Sequence, residues 1–140
     1  MLRSLNTKLK ARSIRNGMMY PQQKNTSLLR KLAISLLDTD ERRYQTVELL
    51  DTWLPELAAD VENLLFDQQA KVFYEIYSEH FQPKIRVIIR LKKMEHEYAV
   101  LLDSKHSMFV VGTEVGGLHA SSATQAAGIL KSILLKFKVS

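Results

Sequence analysis

Two stretches of strict alternation constrain this chain more than any other feature. In "KIRVIIRLKK", Ile85, Val87, Ile89 and Leu91 alternate with Lys84, Arg86, Ile88, Arg90 and Lys92. In "EYAVLLD", Tyr98, Val100 and Leu102 fall on one side. A period of two sends successive side chains to opposite faces of a strand, so each stretch has an apolar face that must be buried. A turn over Lys93 to His96 joins them as a hairpin. Leu91, Ile89 and Val87 then meet Tyr98, Val100 and Leu102, while Lys92 faces Glu97 and Arg86 faces Asp103. A second turn, Ser104 to Ser107, brings "MFVVG" back and adds Phe109 and Val111 to the apolar face.

Such a face needs a cover, and helical spacing supplies it. "TSLLRKLAISLLD" places Leu28, Leu29, Leu32, Ile34, Leu36 and Leu37 on a short helix capped by Thr26 or Ser27. Asp38 and Glu41 stand at capping-box spacing for a second helix. That helix is expected to stop near Trp53, because Leu54 precedes Pro55 and is pushed out of the α region. Pro55 then suits the first turn of a third helix with Leu57, Val61, Leu64 and Leu65 on one face. "KVFYEIYSE" admits helix or strand, and its β-branched and aromatic content favours strand. The last helix, opened by Ser122 with Gln125, carries Ala126, Ile129, Leu130, Ile133, Leu134 and Phe137 towards the sheet. The expected class is α+β: about three N-terminal helices, a three- or four-stranded antiparallel meander and a C-terminal helix packed on the sheet. Residues 1–25 read as a flexible basic arm, ended by "YPQQKN", and 26–140 as a single domain.

The 140 residues, 46% hydrophobic and 25% charged, suit one globular core. No cysteine is present, so no disulfide, thiol nucleophile or thiolate metal site exists. The longest uncharged run, Val115 to Leu130, is too rich in Gly, Ser, Thr and His for a membrane span. Charge is unevenly placed. Residues 1–35 carry eight cations and no acid, 36–80 carry eleven acids against three cations, and 81–140 carry nine cations against four acids. The basic segment either binds an anionic partner or folds back on its acidic neighbour. The arm, Arg- and Ser-containing with Leu2, Leu5 and Leu9 on one helical face, also has features of a mitochondrial transit peptide. A cytoplasmic location is expected, or the mitochondrial matrix if residues 1–20 are such a peptide.

The glycine-bearing stretch "VVGTEVGGLHASSATQ" invites a phosphate-loop reading. Gly112, Gly116 and Gly117 fit neither phosphate fingerprint and no lysine follows them, so the glycines are expected to serve a tight turn and close helix packing. Three strands, this bend and "SATQAAGIL" resemble the C-terminal half of a double-stranded RNA-binding domain over roughly Leu57 to Phe137. That family has an α-β-β-β-α order, and the resemblance implies phosphate contacts from cations at the start of the last helix. The matching positions here hold Ala120, Ser121 and Ser122.

The candidate sites are surfaces. Lys8, Lys10, Arg12 and Arg15 on the arm, with Lys84, Arg86, Arg90 and Lys92 on one strand, form the candidate nucleic-acid contact, with Tyr74 or Tyr77 available to stack a base. Ile88, Leu101 and Val110 form an apolar stripe across the same face, suited to a protein partner or a second copy of the chain. His80, His96, His106 and His119 share no ligand spacing, so neither metal nor cofactor is expected. No nucleophile elbow is present, and no enzyme is expected. The leading expectation is a nucleic-acid-binding accessory or regulatory protein. The alternative is a protein-interaction adaptor or secretion-type chaperone.

Overall fold

A computed structural model describes residues 28–102, 107–113 and 116–138. The thresholds of the first helix at Thr26 and Ser27, the arm residues and Asp103 lie outside them. The order is α1 (Leu28–Ser35), α2 (Asp40–Glu48), α3 (Leu54–Leu64), β1 (Lys71–Glu79), β2 (Gln82–Arg90), β3 (Glu95–Leu102), β4 (Phe109–Thr113), β5 (Gly116–Ala120) and α4 (Ala123–Leu134). The strands form one antiparallel meander in sequence order. The α+β class therefore holds, with a fifth strand where the sequence suggested only a bend.

Helices α2 and α3 run on without a break. A π-helical turn, Leu49–Trp53, joins them. Leu54 stays helical at φ −67° and ψ −41°, and its N–H reaches back five residues to the Leu49 carbonyl. The wider turn accommodates Pro55, which has no N–H to donate, so the expected stop near Trp53 does not occur. The N-cap of α2 is Thr39, one residue beyond the expected Asp38, and its hydroxyl accepts from the Arg42 N–H at 3.1 Å. Asp38 instead pairs with Arg42 at 3.0 Å. The cap of α4 is Ser122, as its spacing with Gln125 indicates: its hydroxyl accepts from the Gln125 N–H at 3.2 Å, and the Gln45 side chain on α2 accepts from the Ala123 N–H at 2.9 Å.

One face of the sheet is apolar. Val72, Tyr74, Ile76, Ile85, Val87, Ile89, Tyr98, Val100, Leu102, Phe109, Val111 and Ala120 join a single buried cluster with Leu54, Leu57, Val61, Leu130 and Leu134 of the helices. Helices α1 and α3 lie at the β1 side, and α4 lies over β4 and β5. Leu64, expected on the buried face of α3, is exposed. So are Leu28, Leu29, Leu32 and Leu36, whereas Ala33 and Leu37 anchor α1 in the core.

The β2–β3 turn is Leu91 to Met94, closed by the Leu91 N–H on the Met94 carbonyl at 2.7 Å. It begins two residues earlier than expected, which moves every cross-strand partner by four positions. Tyr98 thus faces Val87 rather than Leu91, and Val100 faces Ile85. An even shift leaves each side chain on its face, so the buried set is unchanged. At β5, a Cβ on Gly117 would lie 2.5 Å from Val110 Cγ1, so the valine occupies that space. Gly117 therefore serves strand packing and not the approach of α4. Gly116, at φ +145°, is backbone that favours glycine. With five strands between α3 and α4 in place of three, the chain departs from the α-β-β-β-α order that the sequence resemblance implied.

The β1–β2 turn is the strained point of the sheet. Glu79 and Gln82 are the last pair, leaving a two-residue loop of His80 at φ 54° and Phe81 at φ 63°. Type I′ loops want positive φ at both positions and usually hold Asn-Gly. Non-glycine residues held there cost on the order of 1–3 kcal/mol each.

Tyr74 gives the core a pH-dependent element. Burial, then the charges of Asp51 and Glu62, push its phenol above the ordinary 10.0. The folded state thus holds this proton more tightly than the unfolded chain. That stability is complete below pH 10.0 and falls as pH rises through the folded value. Thermal melts in alkaline buffers are expected to show this decline, and Tyr74→Phe is expected to make it shallower.

Candidate nucleic-acid interface

The sheet face turned away from the core cluster is laid out in cross-strand rows by the pairing. Lys71, Arg90 and Glu95 form one row, and Phe73, Ile88 and Glu97 the next. Glu75, Arg86, Ala99, Gly112 and Gly117 form a third, and Tyr77, Lys84, Leu101, Val110 and His119 a fourth. With Glu79 beyond them, these rows hold four cations and four acids. The face is electrically balanced.

The strand cations are held locally. Arg86 pairs with Glu75, directly opposite on β1, and its guanidinium lies 5.8 Å from the Tyr77 ring centroid. Lys84 pairs with Glu79 at 2.6 Å. That hydrogen bond holds the Glu79 carboxyl below the usual carboxylate range and pushes the Lys84 ammonium up. Arg90 sits 5.6 Å from the Phe73 centroid. Lys92 is not on the strand at all. It is exposed in the β2–β3 turn, with its N–H on the Gln68 carbonyl at 2.9 Å. The acids sought on β3 are thus replaced by Glu75 and Glu79 on β1, and the four cations do not converge.

Of the two tyrosines considered for stacking, Tyr74 is buried in the core and Tyr77 is half-buried on this face. Burial pushes the Tyr77 phenol up, and the Lys84 charge opposes that shift. The apolar stripe is interrupted. Leu101 and Val110 are neighbours, but Ile88 stands opposite Glu97 and is only 2% exposed.

Two residues escaped the sequence reading: Phe73, beneath Arg90, and Phe81, at the hairpin tip and 87% exposed. "EHFQ" carries none of the Gly, Asn or Pro that ordinarily announces a turn. Once the β1–β2 register is known, the acids opposite Arg86 and beside Lys84 follow from it.

Elsewhere, Ser107 Oγ lies 2.7 Å from His119 Nδ1, tying the β3–β4 connection to β5. The same hydroxyl donates to the Phe109 carbonyl at 3.2 Å. A cavity of 290 Å³ opens between Leu91, Met94 and Phe137, with Lys92 and Lys93 beside it. Among the described residues no group of three or more His, Asp or Glu side chains is placed to hold a metal ion. No helix among them is long and apolar enough to cross a membrane. No family model, curated protein or solved structure matches the chain.

Proposed function

We propose that this chain is a non-enzymatic nucleic-acid-binding accessory or regulatory protein, working in the cytoplasm, whose polymer contact is made by its basic N-terminal segment. The carrying observation is where the surplus charge lies. Arg3, Lys8, Lys10, Arg12, Arg15 and Lys24 fall within residues 1–27, which hold none of the fifteen acids. Residues 28–140 carry fourteen cations against fifteen acids. The net charge of +5 is therefore supplied by the first 27 residues.

The acidic segment is also a poor internal sink for those cations. Asp38, Asp40, Asp51, Asp60, Glu75 and Glu79 are ion-paired to Arg42, Arg43, Arg30, Lys131, Arg86 and Lys84. Glu41 accepts from Gln45, Glu48 from the Trp53 indole and Glu62 from the Val72 N–H. Nine of the eleven acids in 36–80 thus have partners outside residues 1–27, which favours an external anion over a fold-back. On this reading Lys8, Lys10, Arg12 and Arg15 neutralise phosphates, and Lys84, Arg86, Arg90 and Lys92 play a minor part. Fluorescence anisotropy with labelled single-stranded RNA, duplex RNA and duplex DNA tests it. Binding that weakens with salt and with removal of residues 1–27 is expected; affinity indifferent to both contradicts the reading.

The adaptor reading is favoured by a different surface from the one the sequence suggested: Leu28, Leu29 and Leu32, exposed along α1, with Leu36 exposed just after it. It requires a dimer by light scattering that Leu29→Glu with Leu32→Glu returns to monomer. A wild-type monomer would remove its support.

A further inference from the structure

We infer that the β1–β2 hairpin tip is a base-contacting element, in which Phe81 stacks on an unpaired base of a single-stranded nucleic acid; this rests on the nucleic-acid reading above. The fold has no use for the ring. Phe81 is 87% exposed and sits at φ 63° beside His80 at φ 54°, in a loop that Asn-Gly would fill without strain. An exposed aromatic residue held in backbone that disfavours it points to a role outside the fold.

The tip is also pinned. The Glu79–Lys84 pair closes the hairpin directly behind it, and Pro83 is buried in β2. Down the same hairpin, Tyr77 and Phe73 follow Phe81 at four-residue intervals, with Arg86 and Arg90 over their rings. Tyr77 and Phe73 stand about 13 Å apart along the strand, and Phe81 lies beyond them in the turn. Aromatic rings interleaved with guanidinium groups suit bases, which have a π-face on every nucleotide, better than a protein pocket, which would take one side chain. The tip itself carries no surplus of cations, so the phosphates fall to residues 1–27, and base stacking to Phe81.

The test uses the full chain and a single-stranded oligonucleotide containing 2-aminopurine, whose fluorescence is quenched by stacking. Phe81→Ala is expected to lower affinity about 5- to 100-fold and to change the quenching, while Phe81→Trp restores both. His80→Asn with Phe81→Gly is expected to lose binding to the same extent yet raise Tm by about 5–10 °C, since it relieves the turn. That opposite movement of stability and binding is not produced by a merely structural role. Wild-type binding that all three variants reproduce overturns the stacking inference alone. No salt-dependent binding by the wild type overturns both it and the nucleic-acid reading.

Discussion

Phe109→Ala is expected to destabilise the fold by about 3–5 kcal/mol, a large share of what a domain of this size has to lose. Phe109 is 0% exposed and heads the largest fully buried side chains. It stands between Leu102 on β3 and Ala120 on β5, on the face that α4 covers. Its neighbours are fixed by two strand pairings, so the space left by the ring closes poorly. A fall in Tm of roughly 12–20 °C is expected in a thermal melt. Leu118→Ala is the control. Leu118 is 52% exposed on the neighbouring strand β5, opposite Val111, and its truncation should change stability by less than about 0.5 kcal/mol. Equal effects from the two would mean that β5 is not paired with β4 in the register seen.

Replacing Lys8, Lys10, Arg12 and Arg15 together by Gln is expected to have the largest effect on binding. Each phosphate neutralised on a single strand contributes about 0.7 to the slope of log affinity against log salt. Removing four cations should therefore flatten the slope by about three units. If all six cations in residues 1–27 engage phosphates, the wild type should lose roughly 300-fold in affinity between 50 and 200 mM salt. The variant should lose only about sevenfold. Melting is expected to be unchanged, which separates lost binding from lost folding. By contrast, Lys84→Gln should cost little binding, its ammonium being already committed to Glu79.

The core was legible because alternation survives errors of register. Ile85, Val87, Ile89, Tyr98, Val100 and Leu102 were assigned to one face, and an even shift left them there. "LKKMEHE" contains no glycine or asparagine to fix the loop, so the turn could not be placed to better than two residues. The same shift separated Ile88 from Leu101 and broke the apolar stripe. The β1–β2 hairpin was harder to see, because His80 and Phe81 occupy a turn conformation those residues avoid. Without that hairpin the partners of Lys84 and Arg86 could not be assigned. Strand β5 looked like a bend because two of its five residues are glycine, and pairing with β4 makes it a strand. At Pro55 the local rule gave way to a π-helical turn. The basic segment was evident as a charge surplus, whereas the partners of the acids in 36–80 follow only from the fold.

The most direct measurement is the affinity of the full-length protein for a labelled single strand across a series of salt concentrations. The account predicts a straight line of log affinity against log salt with a slope near −4, shrinking towards −1 in the four-Gln variant. A slope near zero in the wild type, or the same slope in both proteins, would contradict it.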